Sequence, residues 1–432
     1  MFPEEISVYG FKSIHQKLDL GLGNLTVLAG ANSSGKSSII QPLLLLKQTV
    51  DAQYDPGALL LHGPNVRFTA ATQMLSKVAN RRVDNFGVSF RSKAQPSLDL
   101  KFRRVKGKGV DLESMSVHLG SKAYVITSQS SHDDLANFMR DDALNDRAMQ
   151  GIIESFTESG KWTAARDRCF FAVRLSKGSA HVFSTQPTPT GSIRSMLKDL
   201  IHVPGLRGNP ERTYKTSAVG ASFPGTFESY VASVVAKWQE SRDPKLVQLG
   251  VGLEKLGLTW KVRVSPVDDT QAELKVGRLT HARVGGQHDL VSIADVGFGM
   301  SQVLPVVVAL LAARRGQFVY IEQPEIHLHP RAQVAMAELL AAAATRGVRV
   351  IVETHSALLL LKLQTIVAED RMDPKITRLH WFRRSPTGET AVESGEFSDS
   401  GSFGEWPEDF GEVILRSQQD YLDAFEKKAI SH

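Results

Sequence analysis

The sequence predicts an α/β fold, one domain whose two halves lie at opposite ends of the chain and are split by an inserted α+β region. Three observations carry that expectation. Residues 1–75 and 286–432 alternate short apolar strands with helices, and residues 76–285 do not keep that alternation. Three strand-end motifs fit one site and lie only in the end regions: GANSSGKSS (Gly30 to Ser38), VYIEQPE (Val319 to Glu325) and VETHS (Val352 to Ser356). The length, 432 residues, suits one large core with an insertion, or two or three cores.

In chain order, Glu4 to Ile14 reads as a strand with a turn at Gly10, and Leu25 to Ala29 as a short apolar strand broken by Gly30. A helix should start near Gly35 and run to Leu46; Pro42 inside it should bend or end it early, because an interior proline costs roughly 3 kcal/mol. In the middle region, KFRRVKGKG (101–109) reads as a basic strand and turn, Asp133 to Thr157 as helix, and Phe170 to Val173 and His181 to Ser184 as strands. A Pro/Gly/Arg-rich loop (201–214) follows, then a helix over Phe227 to Trp238 and a strand over Leu258 to Val264. The last third predicts an apolar helix Val303 to Arg314 with Pro305 in its first turn, a buried strand Phe318 to Ile321, an amphipathic helix Arg331 to Thr345 and a strand Arg349 to Glu353. A hairpin (Ile376 to Phe382 with Thr390 to Glu393) and a helix from about Phe410 to Lys427 close the chain.

GANSSGKSS matches G-x-x-x-x-G-K-[ST] at Gly30, Gly35, Lys36 and Ser37. Strand before and helix after are the context a phosphate-binding loop requires, so the fold is a P-loop NTPase. Glycines let backbone N–H groups, here from Asn32 through Ser33, Ser34, Gly35 and Ser38, turn toward phosphates. Lys36 supplies a point charge, the Ser37 hydroxyl is a Mg²⁺ ligand, and the helix N-terminus favours the same anions. ATP and Mg²⁺ are therefore the expected cofactors.

Glu322, after Phe318-Val319-Tyr320-Ile321, stands where the Walker B acid holds Mg²⁺. The next position usually carries a glutamate that activates water; here it is Gln323, whose neutral amide can orient water without taking its proton. Glu325, past Pro324, is the substitute candidate. His355 ends a strand and can reach a γ-phosphate, with Ser356 as the N-cap of the next helix. His327 and His329 (HLHP) lack an accompanying acid or cysteine cluster, so a structural or subunit-contact role is favoured over zinc.

Composition bounds the rest. The single cysteine, Cys169, excludes a disulfide framework or a cysteine-based zinc site within the chain. The N-terminal stretch MFPEEISVYGFKSI is acidic without an apolar core, and the longest apolar run, Val303 to Ala313, is too short to cross a bilayer; a cytoplasmic protein with no membrane partner is expected. A net charge of +5 permits nucleic acid as a partner without demanding it.

With these motifs in view, the chain resembles the ABC-type ATPase heads of the SMC, RecF and OLD (overcoming-lysogenization-defect) group. More narrowly, it is similar to bacterial AAA-labelled ATPases whose Walker B region reads IEQPE-x-HLHP. The resemblance rests on GFKSI, LTVLAGANSSGKSS, DVGFGMSQVLP, YIEQPEIHLHPRAQ and VETHS, and touches the insertion through HVPGLRGNPERTY. It implies an ABC-ATPase head that dimerises head to tail around two ATPs, as a homodimer or within a higher oligomer. A signature segment, Asp295 to Gln302 here, would offer Gly297, Gly299, Ser301 and Gln302 to the partner's γ-phosphate. Gln73 is the candidate for the glutamine that reads that phosphate. No Cys-x-x-Cys hook and no sustained heptads are present, so a long tethering arm is not expected. No Glu…Asp-x-Asp cluster follows His355, so the chain is expected to cut nothing itself.

Three functions compete. The first is an ATP-gated switch with slow hydrolysis that controls a separately encoded effector, a nuclease or toxin, in defence against phage or plasmids. The second is a DNA-binding repair or maintenance ATPase using Lys101, Arg103, Arg104, Lys106 and Lys108 with Arg207 and Arg212, although a solvated basic hairpin is the favoured reading of the first five. The third, a transporter ATPase, sits poorly with the long insertion and the HLHP sequence.

Overall fold

Both ends of the chain meet in one six-stranded sheet. Its order is Ile201–Val203, Phe318–Glu322, Arg349–Thr354, Leu25–Gly30, Thr377–Arg384 and Thr390–Gly395. The first five run parallel, and the last closes an antiparallel hairpin. The computed structural model describes residues 3–78, 81–92, 96–107, 109–143, 151, 160–178, 180–218, 220, 222–281, 289–403, 419 and 422.

Successive side chains in a strand point to opposite faces, and strands covered on both faces read as continuous apolar runs. Val27, Ala29, Val319, Ile321, Val350 and Val352 pack under the helices Val231–Glu240, Phe298–Ala312, Pro330–Thr345 and Ala357–Ala368. Leu28, Phe318, Tyr320, Ile351 and Phe382 face the opposite way, onto the helix Lys36–Asp51 and a second sheet. That sheet is antiparallel and six-stranded: Leu18–Gly21, Glu5–Tyr9, Asn85–Arg91, Ser97–Val105, Gly109–Leu119, Lys122–Ile126. A three-stranded sheet (Lys161–Asp167, Phe170–Lys177, Ala180–Thr185) joins the same core. A fourth sheet pairs Gln271–Gly277 with Tyr214–Lys215, Val262–Pro266 and Leu290–Ser292.

Both composition boundaries separate paired strands. Glu5–Tyr9 pairs with Asn85–Arg91 across residue 75, and Gln271–Gly277 pairs with Leu290–Ser292 across residue 285. Ile201–Val203, from the middle of the chain, forms an edge of the parallel sheet. The middle region is thus woven into the head through backbone hydrogen bonds.

Two proline expectations are corrected. The helix after the phosphate loop does not end early at Pro42 but runs from Lys36 to Asp51. Burial of Leu43, Leu44, Leu45, Leu46 and Val50 outweighs the one backbone bond the proline removes. Pro305 lies inside Phe298–Ala312 and not in its first turn, because that helix starts five residues earlier than expected, with Gly297 as N-cap. The strand expected from Leu258 is Val262–Pro266. The helix predicted over 133–157 is described as His132–Asp142 with Ala143 as its C-cap; residues 144–150 and 152–157, and all of the helix predicted over 410–427 except 419 and 422, lie outside the described residues. Among the described residues no helix is long and apolar enough to cross a membrane.

Candidate functional site

The phosphate-loop strand stops at Gly30, where φ is +137° and a Cβ would run into the Phe382 carbonyl of the next strand. Gly35, at φ +106°, turns the chain into the helix; a Cβ there would meet the Thr390 hydroxyl. Only glycine satisfies both the dihedral and the space. The C-terminal hairpin braces this loop: Arg384 Nη1 donates to the Ser33 carbonyl at 2.8 Å, and Thr390 Oγ1 to that of Ser34 at 2.9 Å. Lys36 Nζ donates to the carbonyls of Gly30 (3.0 Å) and Ala31 (2.8 Å).

The loop opens on a cavity of about 540 Å³. Every residue from Asn32 to Ser38 lines it, as do Gln323, Glu353 and His355 from the neighbouring strand ends. Lys12, Gln73, Lys77 and Arg384 complete the rim. The size suits a nucleotide-class ligand. Gln73 reaches the cavity, but its amide is bonded to Thr69 and Ala70 beside it.

The acids divide the work differently from the expectation. Ser37 Oγ donates to Glu353 Oε2 at 2.8 Å, and the Tyr320 hydroxyl donates to Glu353 Oε1. Glu353 is 1% exposed. Burial, and then the neighbouring Glu322 carboxylate, push its pKa up to about 7 against the pull of the Tyr320 and Ser37 hydrogen bonds. Glu322 faces the same side, but its two oxygens accept from His202 Nε2 (3.0 Å) and the Gly205 N–H (3.1 Å). Burial raises its pKa, yet the His202 and Gly205 bonds and the Arg207 charge outweigh burial and hold it below the usual value. Glu322 does not line the cavity. Neither does Glu325, which is buried behind the loop and accepts the His355 backbone N–H at 2.6 Å; burial raises its pKa. Glu325, the substitute base candidate, therefore sits behind His355 and not in the cavity wall.

Gln323 does face the cavity, at φ +45°, a left-handed conformation that is costly for a side chain of this size. Its N–H bonds the Glu353 carbonyl at 2.9 Å, which fixes the turn. His355 has its pKa lowered by burial first and the nearby Lys36 charge second, so it sits neutral at pH 7. Ser356 caps the next helix as expected, accepting the Leu359 N–H at 3.0 Å. The hydroxyl and carboxylate oxygens of Ser37, Glu353 and Glu322 are hard donors that suit Mg²⁺, which takes one or two protein ligands and fills the rest with phosphate and water. Among the described residues no group of three or more His, Cys, Asp or Glu is placed to hold a metal by itself.

The Gly297 to Gln302 segment opens the helix Phe298–Ala312 away from the cavity; none of its residues lines it. A Cβ on Gly299 would sit 3.1 Å from the His327 carbonyl, and Phe298 packs edge to face on His327 at 4.9 Å. His329 Nδ1 caps the helix Pro330–Thr345 by accepting the Arg331 N–H. Of the two histidines of HLHP, His327 thus packs on the Gly297 to Gln302 segment and His329 caps the next helix. Ser301 Oγ turns back to the Phe298 carbonyl. Gln302 is a correction: 2% exposed, it spends its amide on the carbonyls of Arg207 (2.9 Å) and Gly208 (3.3 Å) and cannot meet a phosphate.

Sequence reasoning missed four residues of this network: Glu353, Tyr320, His202 and Arg207's true position. Arg207, assigned above to nucleic acid, is 4% exposed and bridges the Gln302 carbonyl (2.8 Å) and the Glu322 carbonyl (2.7 Å). Burial lowers its pKa to about 10 against the pull of Glu228, Glu322 and Glu325. Arg212 pairs with Asp295 at 2.7 Å and Lys101 with Glu113 at 3.3 Å; Lys108 lies outside the described residues.

Residues 163–361 match an AAA domain family of the AbiEii type (type IV toxin–antitoxin system), and residues 1–76 match a protein family of unknown function, DUF2813. No curated protein matches the chain. Among solved structures, an SMC head bound to the C-terminal winged-helix domain of ScpA superposes with a TM-score of 0.50 at 12% identity, covering 93% of this chain and 99% of that one. An SMC head from Thermotoga maritima gives 0.40 at 10% identity (91% and 98% covered). An SMC head with an extended coiled coil, bound to the C-terminal domain of ScpA derived from Pyrococcus furiosus, gives 0.47 at 11% (98% and 99%). The chain therefore has the fold of an SMC-like, ABC-type P-loop ATPase head, and its residues 163–361 are similar to the AAA family named above.

Proposed function

We propose that this protein is a cytoplasmic ATP-gated switch of the OLD-like kind: two copies close head to tail around two Mg²⁺-bound ATPs, hydrolyse them slowly, and so control a separately encoded nuclease or toxin. One observation carries the reading. The cavity holds the phosphate loop, Gln323, Glu353 and His355, whereas Gly297, Gly299 and Ser301 open a helix elsewhere on the same chain. A helix N-terminus with small residues suits phosphate, and a second copy supplies it to this cavity. Phe298, 40% exposed, lies on that face.

Asn32 to Ser38 and Lys36 bind the phosphates, Ser37 and the strand-end acids receive Mg²⁺, Gln323 orients water, and neutral His355 donates to the γ-phosphate. When bound, Mg²⁺ neutralises charge on the β- and γ-phosphates. Gln323 cannot take a proton, which supports slow turnover and long-lived closed dimers. The AbiEii-type domain is compatible with a defence role. The repair reading keeps less support, since Arg207, Arg212 and Lys101 all have internal partners.

Lys36→Ala tests the reading. It is expected to abolish binding of a fluorescent ATP analogue and ATP-driven dimerisation in light scattering, while the fold persists. Affinity capture from the native cell with ATP and with ADP then tests the effector; a bare dimer under both conditions counts against it.

A further inference from the structure

We propose that Glu353 is the principal carboxylate through which this chain meets the divalent cation of bound ATP, with Glu322 held one strand behind it. The inference rests on the ATP·Mg²⁺ reading above and assigns the metal role within it. Arg349–Thr354 is the strand beside the phosphate-loop strand, with Glu353 in register with Leu28. Phe318–Glu322 is one strand further away, with Glu322 in register with Glu353. The alternation that sends Tyr320 and Ile351 to the face of the helix Lys36–Asp51 sends Glu322 and Glu353 there too.

On that face only Glu353 touches the phosphate loop, through Ser37 Oγ at 2.8 Å, and only Glu353 lines the cavity. Ser37 is the loop's own metal ligand, so a carboxylate within hydrogen-bond reach of it stands within reach of the same cation. The Tyr320 hydroxyl holds the second oxygen of Glu353 and sets the carboxylate plane. Glu322 has both oxygens engaged, by His202 Nε2 and the Gly205 N–H, so it reaches the cation only by giving up a partner. Its like charge beside Glu353 adds to the attraction for a cation between them and the phosphates. Outer partners of metal ligands are typically worth about 10- to 100-fold in affinity, which fits His202 and Tyr320 as positioning residues.

The test uses the full chain with Mn²⁺ and the non-hydrolysable analogue AMP-PNP. Electron paramagnetic resonance reads Mn²⁺ affinity of the complex, and a fluorescent ATP analogue in EDTA reads nucleotide binding without metal. Glu353→Gln is expected to weaken Mn²⁺ at least about tenfold without weakening metal-free nucleotide binding, and Glu322→Gln to weaken it less. Tyr320→Phe, which removes one hydroxyl and keeps both charges, is expected to weaken Mn²⁺ several-fold, and it carries the test should Glu353→Gln not fold. Mn²⁺ affinity unchanged in Glu353→Gln and Tyr320→Phe but lost in Glu322→Gln overturns the assignment. Wild-type protein that binds no nucleotide even without metal overturns the ATP reading itself, a separate result.

Discussion

Gln323 is the residue where chemistry and backbone strain coincide. Its φ of +45° costs on the order of 1 kcal/mol and is kept because its N–H is tied to the Glu353 carbonyl, which aims the side chain into the cavity. A carboxylate at this point can act as a base, and bases contribute roughly 10²- to 10⁴-fold. Gln323→Glu is therefore expected to raise steady-state ATP turnover at least about tenfold; turnover equal to wild type places the base elsewhere. Arg207 makes a second prediction. It spans from the helix Phe298–Ala312 to the end of the strand Phe318–Glu322, so under the proposed function nucleotide binding at one can be felt at the other. Arg207→Lys keeps the charge but not the fork. It is expected to leave metal-free nucleotide binding within about twofold while weakening ATP-driven association about tenfold, near 1.4 kcal/mol. The phosphate-loop residues were legible because spacing alone specifies them. Glu353 was not, because VETHS reads by its histidine. Nor was Arg207, since no local pattern distinguishes a buried arginine from one that meets phosphate.

At the scale of elements, the last hairpin and the first strands are locked to each other. His380 is 1% exposed; Nε2 bonds the Gly21 carbonyl (2.8 Å) and Nδ1 meets Ser394 Oγ (2.7 Å). Burial lowers its pKa to about 4, against 6.5 for a free histidine. The unfolded chain then binds more protons between pH 6.5 and 4, so this group's stabilisation is complete above 6.5 and is lost as pH falls through 4. That loss is on the order of 3 kcal/mol. In chemical denaturation, His380→Gln is expected to flatten the fall in stability over that window; an identical slope refutes the pairing. The parallel strands were legible as apolar runs flanked by glycine. The antiparallel sheet over residues 85–126 was seen only at its basic turn. Its alternation (Phe86, Val88, Phe90 inward) is short, and its partner strand lies some 80 residues earlier, beyond any local window. The proline corrections share one cause: packing of a long apolar face overrode a local propensity.

For the whole molecule, the question is whether one chain or two make a working site. The sheet order places the phosphate loop, Gln323, Glu353 and His355 around one cavity, with the signature helix opening elsewhere. In a two-fold dimer each site would take its phosphate loop from one copy and its signature from the other. Lys36→Ala ruins the first contribution and spares the second. Ser301→Arg, a bulky cation at the helix start, does the reverse. Each variant alone is expected to show no turnover. Mixed in equal amounts, the two variants would form heterodimers with one intact composite site of two, restoring up to about half of wild-type turnover. A site completed within one chain cannot be rescued in this way, since every molecule in the mixture carries one of the two lesions. Turnover in the mixture that stays at the level of the single variants would therefore mean that the cavity and the signature helix of different copies never meet.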